Sequence, residues 1–246
     1  MNLSRALVCE FLGSAFLLAA VVGSGALAHK LDAGNIAVSV LSVSFATMGT
    51  LSALIFALGS ISAHFNPIVT FALACRKEFE WKDLLPYWFS QITGAIFGVL
   101  LTNLMFDLPA ICISETVRSG AGQWLAEVIA SFGLLGIIFG TARSSPQFLP
   151  LSVPFYVAGA IFFTSSTCFA NPAVTIARIF TSTLCGIAPS GVLPFIFFQF
   201  LGALLAIGLF GWLYKIPQHP DLGFENRDIS EDEKRKFEER LLSLQR

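Results

Sequence analysis

Six long apolar stretches, at about residues 6–28, 36–58, 84–106, 123–142, 151–168 and 191–214, are separated by short polar segments. A hydrocarbon core of about 30 Å takes roughly 20 apolar residues per helix, so each stretch predicts a membrane-spanning helix. Two shorter apolar segments, 66–75 and 171–183, fall between the second and third spans and between the fifth and sixth. Ten residues rising 1.5 Å each reach about 15 Å, half a bilayer. The first stretch follows Arg5 and runs about 23 residues. That is too long for a signal-peptide core of roughly 7–15, so it reads as the first span. The expected fold class is an all-α membrane protein with six transmembrane helices and two re-entrant half-helices. With the N-terminus inside, Arg5, Arg76, Lys77, Lys82, Arg143 and Lys215 face the cytoplasm, and Lys30 and Arg118 lie outside. This cation bias predicts both termini in the cytoplasm of a multi-pass protein of the cell membrane, most simply a bacterial inner membrane.

Composition sharpens the division of the chain. The 246 residues are 55% hydrophobic and 13% charged, about half the roughly 25% charge of a soluble domain. Mean hydropathy is +0.74. Residues 215–246 hold 7 of the 15 Lys/Arg and 8 of the 16 Asp/Glu. A bilayer domain over 1–214 and a charged tail over 215–246 follow. Disorder and collagen-like structure are excluded. A net charge of −1 supplies no phosphate-neutralising field, which excludes nucleic acid as a partner. Five cysteines are an odd number, four of them in or beside apolar runs, which argues against a disulfide framework. Their spacing does not resemble a metal site, and no cofactor is expected.

The sequence repeats itself. Glu10-x-x-x-Ser14 recurs as Glu127-x-x-x-Ser131, and Gln91-x-x-Gly94-Ala95 as Gln199-x-x-Gly202-Ala203. Asn66-Pro67-Ile68-Val69-Thr70-Phe71-Ala72 recurs as Asn171-Pro172-Ala173-Val174-Thr175-Ile176-Ala177. The markers keep their order, so residues 5–106 and 123–214 are two repeats of three spans and a half-span. An odd number of crossings inverts the second repeat. Inverted repeats with interrupted helices place a solute path where the broken helices meet. Asn-Pro is a helix start, with Asn as the cap and Pro at the first helical position. Inside a bilayer such a start is tolerated only where it lines a cavity or is buried in protein. Two starts from opposite sides bring two helix N-termini together, each carrying about +0.5 charge. Such a centre repels cations, while Asn66 and Asn171 can hydrogen-bond a passing neutral molecule.

On these motifs, together with Ser62-Ala63-His64-Phe65 before the first Asn-Pro, the chain resembles the major intrinsic protein family, the aquaporins and aquaglyceroporins, over residues 5–214. The resemblance implies a right-handed six-helix bundle with two half-helices, a pore in each subunit and a homotetramer. It also implies an aromatic/arginine filter that selects the solute. Counting from Asn171, the filter positions become Gly159, Cys168 and Val174, where water-selective members carry His at the first and Arg at the last. The second-span position is Thr47 if one Gly of the usual Ser-Gly-Ala-His is missing, and Ala46 if it is not. A filter of Gly159, Cys168, Val174 and Thr47 is wide and weakly polar. A subset of bacterial members found with arsenic-resistance genes looks similar. The resemblance makes Glu10 and Glu127 acceptors for backbone N–H groups of the two re-entrant loops.

Other residues keep two readings. Arg178 lies one turn after Val174 on the same helix face, and either reaches the filter or outer vestibule or pairs with a carbonyl or headgroup. His64 either contacts solute at the cytoplasmic mouth or braces the loop. Ile68 adds bulk beside the pore centre or packs outward. In the tail, Ser230 and Glu233 resemble a capping box, and Phe237, Leu241 and Leu244 share a stripe, as a docking helix or a solvated one. The expected activity is passive passage of small neutral solutes such as water, glycerol, arsenite and methylated arsenicals, with protons and ions excluded. A strict water channel is the rival within the class. A secondary transporter needs an ionisable coupling group near the midplane, where the motifs offer neutral Asn. An enzyme needs a convergent nucleophile, base and acid, which the sequence does not offer.

Overall fold

The computed structural model describes residues 2–214. Among them the regular structure is helical: α1 (Leu3–Leu31), α2 (Ile36–Leu58), α3 (Pro67–Cys75), α4 (Leu84–Met105), α5 (Ala121–Ser144), α6 (Leu149–Phe163), α7 (Pro172–Ala177) and α8 (Pro189–Leu213), with three single 3-10 turns and no strand. Six helices, the 3-10 turns before α4 and α6 included, are long and apolar enough to cross a membrane. The tail motifs, from Ser230 to Leu244, lie outside the described residues.

Two elements end earlier than their apolar composition predicts. The fifth span stops at Phe163 instead of reaching 168, because Thr164 turns extended (φ −107°, ψ 138°). Its hydroxyl bonds back to Ala160 O at 2.6 Å and accepts from Cys168 N at 2.9 Å, which closes a loop in place of another helical turn. The second half-span is helical only over Pro172–Ala177, followed by a 3-10 turn at Arg178–Phe180. Thr181 Oγ1 then accepts from Thr183 N at 3.3 Å. A side chain that satisfies its own backbone in this way competes with helix continuation.

Packing follows the repeat. α1 lies on α4 as α5 lies on α8, and α1 on α2 as α5 on α6. Each half-helix crosses over: α3 packs on α8 and α7 on α4, while α2 meets α6 and α3 meets α7. The close α1–α4 and α5–α8 approaches depend on small residues. A Cβ at Gly94 would strike Phe11 O, one at Gly98 would strike Ala15 O, and one at Gly202 would strike Val128 O. The repeated Gln-x-x-Gly-Ala therefore marks where helix meets helix backbone. Outward faces carry exposed Phe45, Phe89, Phe155 and Phe197, as a hydrocarbon solvent demands. Ile68 is fully buried in a cluster with Leu135, Phe139 and Ala203, so it packs outward from the path described next.

Candidate functional site

Each half-helix starts at its Asn. Asn66 Oδ1 accepts from Ile68 N at 3.1 Å; Asn171 Oδ1 accepts from Ala173 N at 2.9 Å and Val174 N at 3.3 Å. Pro67 and Pro172 take the first helical position. The two caps are then tied to each other's loops. Asn66 Nδ2 donates to Ala170 O, and Asn171 Nδ2 donates to Phe65 O, both at 2.8 Å. Phe65 and Ala170 each precede an Asn, and each has a left-handed backbone (φ 50° and 42°). That turn aims their carbonyls at the opposite Asn. Each primary amide has two N–H groups, so one N–H on each Asn remains beyond these bonds.

The carboxylates hold the loops from behind. Glu10 Oε1 accepts from Ser62 Oγ (2.6 Å) and His64 N (2.8 Å), and Oε2 from Phe65 N and Gln91 Nε2, both at 2.7 Å. Glu127 Oε1 accepts from Phe169 N (3.0 Å), and Oε2 from Ala170 N (2.9 Å) and Gln199 Nε2 (2.6 Å). Gln91 and Gln199 also reach Thr70 and Thr175 on the half-helices, at 3.0 and 2.8 Å. Both carboxylates are fully buried, and every bond described to them comes from a neutral donor.

A cavity of about 580 Å³ passes both Asn side chains. Its α2 wall runs from Ile36 to Gly59, the whole length of the helix, through Val43, Thr47 and Leu51. Thr47 is on this wall and Ala46 is not, and the Thr47 hydroxyl has no hydrogen-bond partner among the described residues. Cys168, Val174, His64 and Arg178 also face the cavity. His64 Nδ1 lies 3.1 Å from Thr70 Oγ1, and its ring packs on Phe79 and Tyr87.

Gly159 is a correction. It is exposed, away from the cavity lining. The α6 wall is made by Leu149, Val153, Val157 and Ile161. Gly159 is two residues from both Val157 and Ile161, about 200° around the helix. The count from Asn171 misplaced it because the chain between α6 and α7 is a loop whose length sets the register. The i, i+4 series of branched residues at 149–161 was the available signal. The cavity is consequently lined by Val and Ile where an opening without side chain was expected.

Arg118, by sequence one of two outside charges, has a further role. In the structure Arg118 lines the cavity and donates to Gly186 O (2.9 Å), Leu184 O (3.0 Å) and Ser166 O (3.3 Å). Arg178 is buried, and its Nε donates to Cys185 O. Nothing in the sequence near 118 distinguishes this arginine from any loop cation.

Six spans, two opposed half-helices and a cavity past their joined N-termini define a multi-pass membrane protein built around a central path. A model of the major intrinsic protein family matches residues 1–170, and the chain belongs to that family. It is 42% identical over 220 residues to aquaglyceroporin AqpS of Rhizobium meliloti, covering 89% of this chain and 94% of that protein. Aquaporin AqpM of Methanothermobacter thermautotrophicus is 28% identical over 186 residues, 65% of this chain and 76% of that one. The solved aquaglyceroporin of Plasmodium falciparum superposes with a TM-score of 0.62 at 19% identity, covering 87% of this chain and 96% of that one, which supports the fold.

Proposed function

We propose that this protein is a passive channel for water and small uncharged solutes of glycerol size, neutral arsenicals among them, and that it excludes protons and ions. The observation that carries this reading is the pair of Asn caps. Each spends its oxygen on its own half-helix and one N–H on the opposite loop, and each keeps one N–H where the cavity passes. Two donors with no acceptor bind the oxygen of a water or an alcohol and turn its hydrogens away from the centre. A file of waters so oriented cannot relay a proton through it. The two half-helix N-termini add about +0.5 charge each against any cation.

The neutral narrow part is read as Thr47, Cys168 and Val174, with Val157 and Ile161 from α6 in place of Gly159. One hydroxyl among apolar walls suits uncharged molecules with a few polar atoms. The name of the AqpS relative, an aquaglyceroporin, agrees with glycerol-type solutes. The cation bias of the loops supports cytoplasmic termini in a bacterial inner membrane, and the outward Phe residues suit lipid or further copies in a homotetramer. Residues 1–214 are read as the channel and 215–246 as a cytoplasmic tail. The test is purified protein in liposomes, with water and glycerol followed by stopped-flow light scattering and arsenite by uptake, beside proton leak under a pH gradient. Rapid water and solute flux without proton leak is expected. Proton leak matching the solute flux, or solute flux dependent on an ion gradient, would defeat the proposal.

A further inference from the structure

We propose that Arg118 and Arg178 form a two-guanidinium collar that sets specificity in this pore together with the neutral lining of Thr47, Cys168 and Val174. The inference rests on the channel reading above. Val174 presents only methyl groups, yet the cavity at that end of α7 is not uncharged. Arg178 follows Val174 by one turn and is 96% buried, and its 4% exposure opens to the cavity it lines. Long side chains of a helix lean toward its N-terminus, which for α7 is the Asn171 end.

Both guanidiniums converge on one aromatic ring. Arg178 Cζ lies 3.5 Å from the centroid of Phe169, and Arg118 Cζ lies 5.1 Å from the same centroid. Phe169 is itself fixed, since its N–H is held by Glu127. Arg118 is anchored through Nε, Nη1 and Nη2 on three loop carbonyls. Arg178 is anchored through Nε alone, and among the described residues its Nη1 and Nη2 have no acceptor. Neither arginine has a carboxylate within ion-pair distance among the described residues. A buried guanidinium with unused donors on a solute path is a site awaiting oxygen atoms. The collar offers N–H donors to neutral oxygen-bearing solutes, rejects cations, and fills lumen that Val174 leaves open. Its size, charge and donors come from the loop between α4 and α5 and from the turn after α7, so the selecting cation has moved one turn along the path and gained a partner.

The test uses the full-length protein in liposomes, comparing glycerol with water permeability. Arg178→Ala should raise the glycerol-to-water ratio by about tenfold, the worth of a charge-assisted hydrogen bond and its bulk, with water flux retained. Gly208→Ala, on a face of α8 with open space and outside the cavity lining, should leave the ratio unchanged. Arg178→His separates charge from packing: the ratio should stay low at pH 5 and rise by pH 8 as the imidazole loses its proton, while wild type stays flat. Arg118 is tested by phenylglyoxal applied to the outside of oriented vesicles that carry Arg178→Lys. Modification should shift the ratio of that variant and leave an Arg118→Lys, Arg178→Lys double variant unaffected. An unchanged ratio in Arg178→Ala, with a flat pH profile in Arg178→His, would overturn the collar while the channel reading stands. Wild-type vesicles that pass neither water nor glycerol would overturn the channel reading instead. If Arg178→Ala does not fold, the histidine and phenylglyoxal arms decide alone.

Discussion

Phe65 and Ala170 hold a left-handed backbone that costs a non-glycine residue about 1–2 kcal/mol. Both ends of each residue explain why it persists: the N–H is bound by Glu10 or Glu127, and the carbonyl by the Asn of the other half. The carboxylates therefore set the Asn geometry indirectly. Glu127→Ala would orphan the N–H groups of Phe169 and Ala170 and one of the two side-chain N–H groups of Gln199, each loss costing about 1–3 kcal/mol. It should lower the unfolding temperature in detergent steeply. Glu127→Gln, which keeps one acceptor oxygen, should lower it less. Ser131→Ala should change it little, because the Ser131 hydroxyl has no partner among the described residues and its Cβ rests against Gly202. A Ser131→Ala loss equal to that of Glu127→Ala would contradict this division. At this scale the sequence was informative where chemistry was out of place. A carboxylate inside an apolar span or an Asn-Pro in a bilayer has few tolerable arrangements. Arg118 was not visible in the same way, because a loop arginine has many, and only the folded loops bring Gly186, Leu184 and Ser166 carbonyls around it.

Among the elements, span positions followed directly from apolar length, since a bilayer fixes how long a helix must be. Element ends did not. Residues 164–168 are small and neutral, equally fit for helix or loop, and it is the Thr164 hydroxyl that stops α6. That stop is also why Gly159 was displaced from the cavity in the structure relative to a count from Asn171. Helix-to-helix distance is set by glycines that the repeat makes conspicuous. Gly98 of α4 lies on the Ala15 carbonyl of α1, whereas Gly208 and Gly211 of α8 face open space. Gly98→Val should force α1 from α4 and abolish folded protein, read as loss of the monodisperse peak in detergent. Gly208→Ala should keep that peak and gain stability, because Ala improves a helix interior by about 0.5–1 kcal/mol. Equal behaviour of the two variants would mean that the α1–α4 approach is adjustable.

For the whole molecule, one cavity wall runs the full length of α2, and charge reaches that cavity unevenly. The Asn centre offers donors without formal charge, while the Ile36 end gathers Arg118 and Arg178 beside a neutral Val174. With the proposed collar, solute choice depends on how much lumen is left beside those arginines. Val174→Arg adds a third guanidinium, with a long stem and five N–H donors, one turn nearer the centre. Branched Val157 and Ile161 line the same cavity, so the added side chain enters a lumen already walled by bulky groups. Water, which needs the narrowest passage, should continue to cross, whereas glycerol flux should fall by about tenfold or more, the scale of one ill-fitting contact in a pocket. Like charges also repel, so Val174→Arg combined with Arg178→Ala should recover part of the glycerol flux by returning the guanidinium count to two. Stopped-flow measurement of both permeabilities in the same vesicles checks this. Equal loss of water and glycerol would show general occlusion. Unchanged glycerol flux would show that position 174 lies off the narrow part of the path, leaving Thr47 and Cys168 to define it.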